Sequence, residues 1–340
     1  MQEIEKITHS QFREMLLDVD IPDIELAKYL RIDPEEDSPL SPKLVVNPDI
    51  VEMTEEEAFQ ESAMGIGNNV ARWRRQLRFK KCRKKYPERP VLVTEGDSWF
   101  QFPILIKEVV DHLFDDYNVY CVSAAGDTAE NMVYGPQKKK KNEYMDALLK
   151  QKDSVQAFLF SGAGNDVIGE DKDGNPVLAK VLKHYQAGKP AADHINFPAL
   201  DGIIAFLKGA YFKVIDTVHG NSHFRQLPIL IQGYDYAIPG DKTDPRDPIY
   251  AKPDQWLGAP LADKGIHDKQ LQKDILRILI DRVYDMMEEV ASARSHVHIV
   301  DSRGTLPDIS DWNDEIHGTS DGFAKITKNF RATLLGLGIA

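Results

Sequence analysis

Cysteine and long apolar runs are both scarce in this sequence. Its 340 residues include only Cys82 and Cys121, too few for a disulfide framework. No apolar run approaches the roughly 18 residues that span a bilayer. Residues 1–6 are polar and acidic, unlike the apolar core of a signal peptide. The sequence predicts a cytoplasmic protein and leaves export without a cleaved signal as an open alternative.

Clustered metal ligands and an overall positive charge are also missing. Five histidines have spacings that fit no compact ligand set, namely His184, His194, His219, His223 and His267. We therefore expect no metal and no cofactor. The formal net charge of −12 disfavours nucleic acid or an anionic membrane as a partner of the whole molecule.

One segment departs from this acidic average. Residues 72–85 hold nine Lys and Arg and no Asp or Glu, interleaved with Trp73 and Phe79. A helix of this kind can bind anionic lipid headgroups or nucleic acid. We favour a helix that lies on the acidic domain that follows it and pairs its charges there, because the rest of the molecule would repel polyanions. Nucleic acid is not expected, and membrane-surface contact through Arg72–Lys85 stays open.

From Pro90 onward, short apolar runs alternate with helical patterns. The runs are typical of buried strands and occupy residues 91–94, 119–122, 155–160, 228–231 and 297–300. Strands that alternate with helices predict a five-stranded parallel sheet covered on both faces, in a doubly wound α/β fold.

Residues 1–88 look different from the remainder. They contain short helical patterns, and Thr54 followed by three glutamates begins a helix predicted to run to about Lys85. We divide the chain into a mostly helical N-terminal extension of unknown role, residues 1–88, and a domain at 89–340. Two stretches exceed what the sheet needs, near 169–198 and 239–267, and we expect them to form walls or a lid of the site.

In an open parallel sheet, ligands bind beyond the carboxyl ends of the strands. Polar or glycine-rich segments follow the first three strands at 96–99, 123–128 and 161–166, and another lies beyond the fifth at 311–318. They supply a hydroxyl, a glycine amide, a carboxamide and an Asp-x-x-His pair. These are the groups that acyl transfer needs at one edge of the sheet.

Each group has a role in such a reaction. Ser98 is the candidate nucleophile, and His317 can take its proton near neutral pH. Asp314 lies three residues before His317, which on a helical turn brings both side chains to one face, so the carboxylate can orient the imidazole. Asp311 or a backbone carbonyl are the alternatives for that orienting role.

The candidates for an oxyanion hole are the backbone N–H of Ser98, the backbone N–H of Gly126 and the side-chain amide of Asn165. Each candidate also has a purely structural interpretation. Ser98 could cap a helix, Gly126 could enter one, and Asn165 could occupy a turn. We interpret Asp97 as a structural cap or hydrogen-bond partner.

Taken in order, the four segments resemble the signature blocks of the SGNH (GDSL-like) hydrolase superfamily. The matching residues are Gly96-Asp97-Ser98, Gly126, Gly164-Asn165-Asp166, Asp314 with His317, and the trailing Gly322-Phe323. The resemblance covers residues 90–335 and implies a flavodoxin-like three-layer α/β/α fold and ester or thioester hydrolysis without a metal. Trp99 stands where the family name has leucine, so the chain resembles a Gly-Asp-Ser-Trp variant.

The resemblance and the residues together predict a serine-dependent carboxylic ester hydrolase that works through a Ser-His-Asp triad and an acyl-enzyme. The expected substrate is a small-molecule or lipid ester, with acyl chain and alcohol undetermined. The alternatives are a phospholipase or toxin-like acyl hydrolase recruited to membranes by the basic helix, and a non-catalytic binding module of the same fold. The sequence does not determine the oligomeric state.

Overall fold

The N-terminal part of the chain combines short strands with helices. The computed structural model describes residues 6–33, 43–54, 56–57, 68–135, 142–170, 175–248 and 254–340. The elements before the large sheet are β1 (Ile7–Thr8), α1 (His9–Leu17), α2 (Asp23–Ala27), β2 (Leu30–Ile32), β3 (Leu44–Val46), β4 (Val51–Glu52) and α3 (Asn68–Lys85). β1 pairs with β4 in parallel, and β2 pairs with β3 antiparallel.

The main sheet has five parallel strands. They are β5 (Val91–Gly96), β6 (Asn118–Cys121), β7 (Val155–Ser161), β8 (Ile229–Gln232) and β9 (Val297–Val300). Their spatial order is β6-β5-β7-β8-β9, which is the flavodoxin-like order 2-1-3-4-5. β5 and β8 are buried along their whole length, because both faces of a parallel sheet are covered. The predicted fold class is confirmed.

Helices on both faces complete the three layers. They are α4 (Val109–Leu113), α5 (Ala129–Tyr134), α6 (Glu143–Lys150), α7 (Gly164–Ile168), α8 (Val177–Val181), α9 (Phe197–Gly220), α10 (Gly258–Asp263), α11 (Lys269–Ala293) and α12 (Ser320–Gly336). The long helices α9 and α11 pack against each other, and α12 packs against α4 and β9. Among the described residues, none of these helices combines the length and the apolarity that a bilayer crossing requires.

The basic helix α3 lies against β6. The helix was expected to begin near Thr54. The structure has helical residues at 56–57 and at Asn68–Lys85 (α3), while residues 55 and 58–67 of the expected helix lie outside the described residues. Four of its arginines pair with carboxylates, in the pairs Arg72–Glu143, Arg74–Asp23, Arg75–Asp111 and Arg78–Asp111, at 2.8–3.2 Å. Three of these pairs join α3 to the domain at 89–340, while the Arg74–Asp23 pair lies within residues 1–88.

Candidate active site

The loop after β5 carries Ser98. Gly96 ends the strand so close to β7 that a Cβ there would lie 2.7 Å from the carbonyl oxygen of Ser161, so only glycine fits. Asp97 then accepts a hydrogen bond of 3.0 Å from the Trp99 amide, which turns the chain sharply. This turn holds Ser98, 3% exposed, at the carboxyl edge of the sheet.

The Asp-x-x-His segment forms a closed loop. The expectation of a helical turn was wrong: residues 313–317 are nonhelical, with bends at 313–316, and a β-bridge between Trp312 and Gly318 closes the loop. The reason is local, because the Asp314 Oδ1 accepts the backbone N–H groups of Ile316 and His317 at 2.7 Å each. These bonds replace the backbone ladder of a helix and still bring the carboxylate to the imidazole.

Ser98, His317 and Asp314 meet in one hydrogen-bonded chain. The His317 Nε2 lies 2.8 Å from the Ser98 Oγ, and the His317 Nδ1 lies 2.9 Å from the Asp314 Oδ2. All three side chains are buried. The rings of Phe102 and Trp256 pack edge-on against the imidazole, with centroids 4.8 and 5.8 Å away. The imidazole is thus held between a hydroxyl and a carboxylate.

Asp311, the alternative acid, points to a different partner. Its Oδ1 accepts a hydrogen bond of 2.6 Å from the Lys325 Nζ. The His317 Nδ1 meets both carboxylate oxygens of Asp314, at 2.9 and 3.2 Å. The geometry therefore favours Asp314 as the group that orients His317.

Two of the three oxyanion candidates lie at the same cavity. Ser98 and Asn165 both line it, and Asn165 lies in the first turn of α7. The Asn165 Nδ2 donates 2.7 Å to the Asp127 carbonyl, next in the chain to Gly126, whose φ of +82° is in the region that favours glycine. Within the described parts of the chain, no group accepts a hydrogen bond from the backbone N–H of Ser98 or Gly126.

The buried carboxyl group of Asp97 and the partly buried one of Asp166 fix the loops around the site. Asp97 accepts a hydrogen bond from the Tyr234 hydroxyl, and that hydroxyl accepts one of 2.8 Å from the Gly164 amide. Asp166 accepts a hydrogen bond of 2.8 Å from the N–H of Ala129, the first residue of α5. Burial raises the pKa of both Asp97 and Asp166 to about 6. Tyr234 was missed from the sequence, although its place just after β8 is where site residues are expected.

Glu315 and Arg246 are two further residues near the site that the sequence did not predict. The buried Glu315 carboxylate accepts four backbone N–H groups, from Gly240, Trp256, Leu257 and Gly258, at 2.6–2.8 Å. Burial raises the pKa of Glu315. Arg246 donates 2.6 Å to the Asp314 carbonyl and pairs with Asp244. The segment around 239–267 is thus bound to the loop that carries His317.

A cavity of about 80 Å³ opens beside Ser98. Most of its wall is aliphatic, contributed by Val167, Ile168, Leu178, Ala237, Leu257, Leu276, Leu279, Ile280 and Val283. Leu178 and Leu257 come from the two stretches that the sequence analysis expected to form walls. The cavity can therefore take an apolar group attached to a carbonyl at Ser98.

No protein-family model and no curated protein matches the sequence. Solved structures with a similar fold include a carbohydrate acetylesterase from Sinorhizobium meliloti, with 12% identity, 73% of this chain and 100% of that chain covered, and a TM-score of 0.39. The match to an acetyl xylan esterase from Geobacillus stearothermophilus has 14% identity and a TM-score of 0.36, and it covers 74% of this chain and 95% of that chain. An aryl esterase of M. smegmatis has 10% identity, coverage of 73% and 99%, and a TM-score of 0.39. Likenesses this low decide neither the chemistry nor the substrate of the present chain.

Proposed function

We propose that this chain is a serine-dependent hydrolase of carboxylic esters. The observation that carries the proposal is the hydrogen-bonded chain from Asp314 through His317 to Ser98, with distances of 2.9 and 2.8 Å. A serine hydroxyl is a weak nucleophile until a base takes its proton, and an imidazole at this distance is such a base. An orienting carboxylate on the other ring nitrogen completes the arrangement.

The proposed reaction has two steps. His317 takes the Ser98 proton while the Ser98 Oγ attacks the ester carbonyl, and the tetrahedral intermediate collapses as His317 returns the proton to the departing alcohol. Water then attacks the acyl-enzyme, with His317 again as base, and releases the carboxylic acid and free Ser98. Asp314 stabilises the imidazolium that forms in each step.

The negative oxygen of each intermediate needs donors. We assign the backbone N–H groups of Ser98 and Gly126 and the Asn165 Nδ2 to this oxyanion hole. Support comes from the shared cavity of Ser98 and Asn165 and from the Asn165–Asp127 bond, which ties Asn165 to the Gly126 loop. A single such donor typically contributes about 3–4 kcal/mol to the transition state.

For the substrate, we propose an ester with a short aliphatic acyl group. The aliphatic wall beside Ser98 supports an apolar group at this position. Its volume of about 80 Å³ is roughly half that of the ~150 Å³ engineered cavity that holds benzene. An acyl group of a few carbons fits that space better than a long lipid chain.

Labelling with a fluorophosphonate tests the nucleophile. The wild-type protein should be labelled at Ser98, as mapped by mass spectrometry, and should cleave chromogenic esters of short acids. The Ser98→Ala variant should not be labelled, and its rate of ester turnover should be lower by several orders of magnitude. A wild-type protein that neither labels nor cleaves any ester in a chain-length series would overturn the proposal and favour a binding module.

A further inference from the structure

We infer that helix α3 of the N-terminal extension orients an oxyanion-hole donor, with Asn68 as the positioning residue for the Gly126 amide. The inference rests on the proposed function. It gives a role to a region outside the four blocks of residues that make up the site.

The Asn68 side chain pairs with both backbone groups of Ala125. Its Nδ2 donates 2.9 Å to the Ala125 carbonyl, and its Oδ1 accepts the Ala125 N–H at 2.9 Å. This is the pairing that a neighbouring strand would provide, made here by one carboxamide. It fixes the residue immediately before Gly126.

The geometry of the peptide unit transmits this contact to Gly126. The Ala125 carbonyl and the Gly126 N–H belong to the same peptide unit, and the described chain contains no cis peptide bond. A trans peptide unit is planar, so its C=O and N–H point in opposite directions. When Asn68 holds the carbonyl on one side, the Gly126 N–H is aimed at the other. A hydrogen bond to the carbonyl also polarises the unit and strengthens its N–H as a donor.

Arg72 supports the same loop one turn further along α3. Its Nε donates 2.9 Å to the Ser123 carbonyl, and its guanidinium also donates to the Val122 carbonyl. Residues four apart share one face of a helix, so Asn68 and Arg72 reach the loop together. The side chain of Gln101, just beyond the nucleophile turn, donates 3.2 Å to the Asn68 carbonyl.

The loop held by α3 also contacts the second assigned donor. Asp127 follows Gly126, its carbonyl accepts the Asn165 Nδ2 at 2.7 Å, and its carboxylate lies 3.8 Å from the Arg72 guanidinium. The position of this loop therefore affects two proposed donors to the same oxyanion, the Gly126 N–H and the Asn165 Nδ2. The extension thus has a part in setting catalytic geometry.

Asn68→Asp separates this role from simple packing. The substitution keeps an oxygen that can accept the Ala125 N–H but replaces the Nδ2 donor by an oxygen facing the Ala125 carbonyl. We expect kcat for a short-chain chromogenic ester to fall about 10- to 100-fold, since complete loss of one oxyanion donor costs roughly 10²–10³. KM should change less than about threefold, because a donor for the oxyanion acts mainly in the transition state. The kcat of Asn68→Ala, which loses both hydrogen bonds without adding a charge, should fall by a similar factor.

Asn118→Asp is the matched control. Asn118 is a buried asparagine whose Nδ2 also holds backbone carbonyls, of Tyr86 at 2.9 Å and Arg89 at 3.1 Å, but it lies at the start of β6, far from the carboxyl edge. Each variant is assayed below its own melting temperature, with rates divided by the fraction of protein that a fluorophosphonate finally labels. The control should lose stability and keep its kcat per labelled site.

The outcomes separate the two proposals. A wild-type protein without Ser98-dependent ester cleavage overturns the proposed function itself. An active wild type, with Asn68→Asp and Asn68→Ala that keep wild-type kcat per labelled site, overturns only the positioning role. A kcat loss equal in Asn68→Asp and Asn118→Asp also overturns it, because general destabilisation then accounts for the effect.

Discussion

The indole Nε1 of Trp99 donates a hydrogen bond of 2.9 Å to the carbonyl oxygen of Ile316. Trp99 follows Ser98, and Ile316 precedes His317, so this bond joins the two loops that carry the proposed nucleophile and base. The Trp99 ring also packs edge-on against Tyr234 and Phe323, at 5.2 and 5.3 Å. Tryptophan in the block that resembles Gly-Asp-Ser-Leu therefore has a structural task that leucine could not perform.

Trp99→Phe should lower kcat about 10-fold while the protein stays folded. The phenyl ring keeps much of the packing but leaves the Ile316 carbonyl without its donor, a loss of about 1–3 kcal/mol for a buried group. Small displacements between reacting groups are costly in rate. Steady-state kinetics and urea unfolding measure both effects. Trp73→Phe, at an exposed position on α3, is the control, and equal kinetics for the two variants would contradict the prediction.

Asp314→Asn should reduce kcat by roughly 10³- to 10⁴-fold, the loss seen when a triad carboxylate becomes an amide. The amide can present its NH₂ to the His317 Nδ1 and so favour the wrong tautomer. Asp311→Asn is the matched control three residues earlier, and because its partner is Lys325 it should lose less than about 10-fold. The reverse ranking of the two variants, measured as kcat on one ester, would assign the orienting role to Asp311.

Asp97 makes stability depend on pH. Its pKa rises from 3.8 to about 6 because the carboxyl is buried, so the folded protein holds this proton more tightly than the unfolded chain. Its contribution to stability is full below about pH 4 and is lost as the pH rises through 6. Asp97→Asn removes this titration. The free energy of unfolding of Asp97→Asn, taken relative to that of the wild type, should therefore increase between pH 4 and pH 7, by up to about 3 kcal/mol.

Urea unfolding at several pH values measures this difference. The exposed Asp153→Asn serves as the control and should follow the wild-type pH dependence. A constant offset between Asp97→Asn and the wild type across this range would mean that the Asp97 carboxyl titrates alike in both states.

Leu279→Ala should extend the range of acyl chains that the protein accepts. Leu279 lines the cavity beside Ser98, and its truncation makes room for about two further methylenes. Each buried methylene contributes about 0.8 kcal/mol, so kcat/KM for an ester two carbons longer should rise about 10-fold relative to the shortest ester. Ile278→Ala, on α11 but outside the lining, should leave the ratio unchanged. Alcohols of increasing length, tested with one acyl group, serve as the second series. If the kcat/KM of Leu279→Ala changes with the length of the alcohol and not with the length of the acyl group, the cavity holds the alcohol part of the ester.

The sheet could be predicted from the sequence because its strands are strongly patterned. The apolar run at 91–94 became β5, and the segments that follow β5 and β7 supply Ser98 and Asn165 at the expected edge. The four strands that the structure describes within residues 1–88 were not predicted, since each has only two or three residues. Runs that short show no alternation.

The residues near the site that the sequence did not predict were missed for a different reason. Glu315 and Arg246 act through contacts between loops that are 57 to 75 positions apart, and no local pattern encodes such a contact. Asp314 and His317 were identified by spacing, yet the helical turn used to justify that spacing is absent. Side-chain bonds to the backbone brought the two residues together instead. The prediction that Asp314 and His317 lie together was therefore supported by residue type and order along the chain, and the assumed helical geometry was wrong.

Glu315 holds Gly240 and residues 256–258 against the loop that carries His317. Four amides from 240–258 converge on this one carboxylate, and the same segment lays Trp256 against the His317 ring. Outward movement of these residues would leave the Glu315 carboxyl group without its four donors and would remove Trp256 from the His317 ring. We therefore expect this side of the site to stay rigid while an ester binds at Ser98 and its products leave.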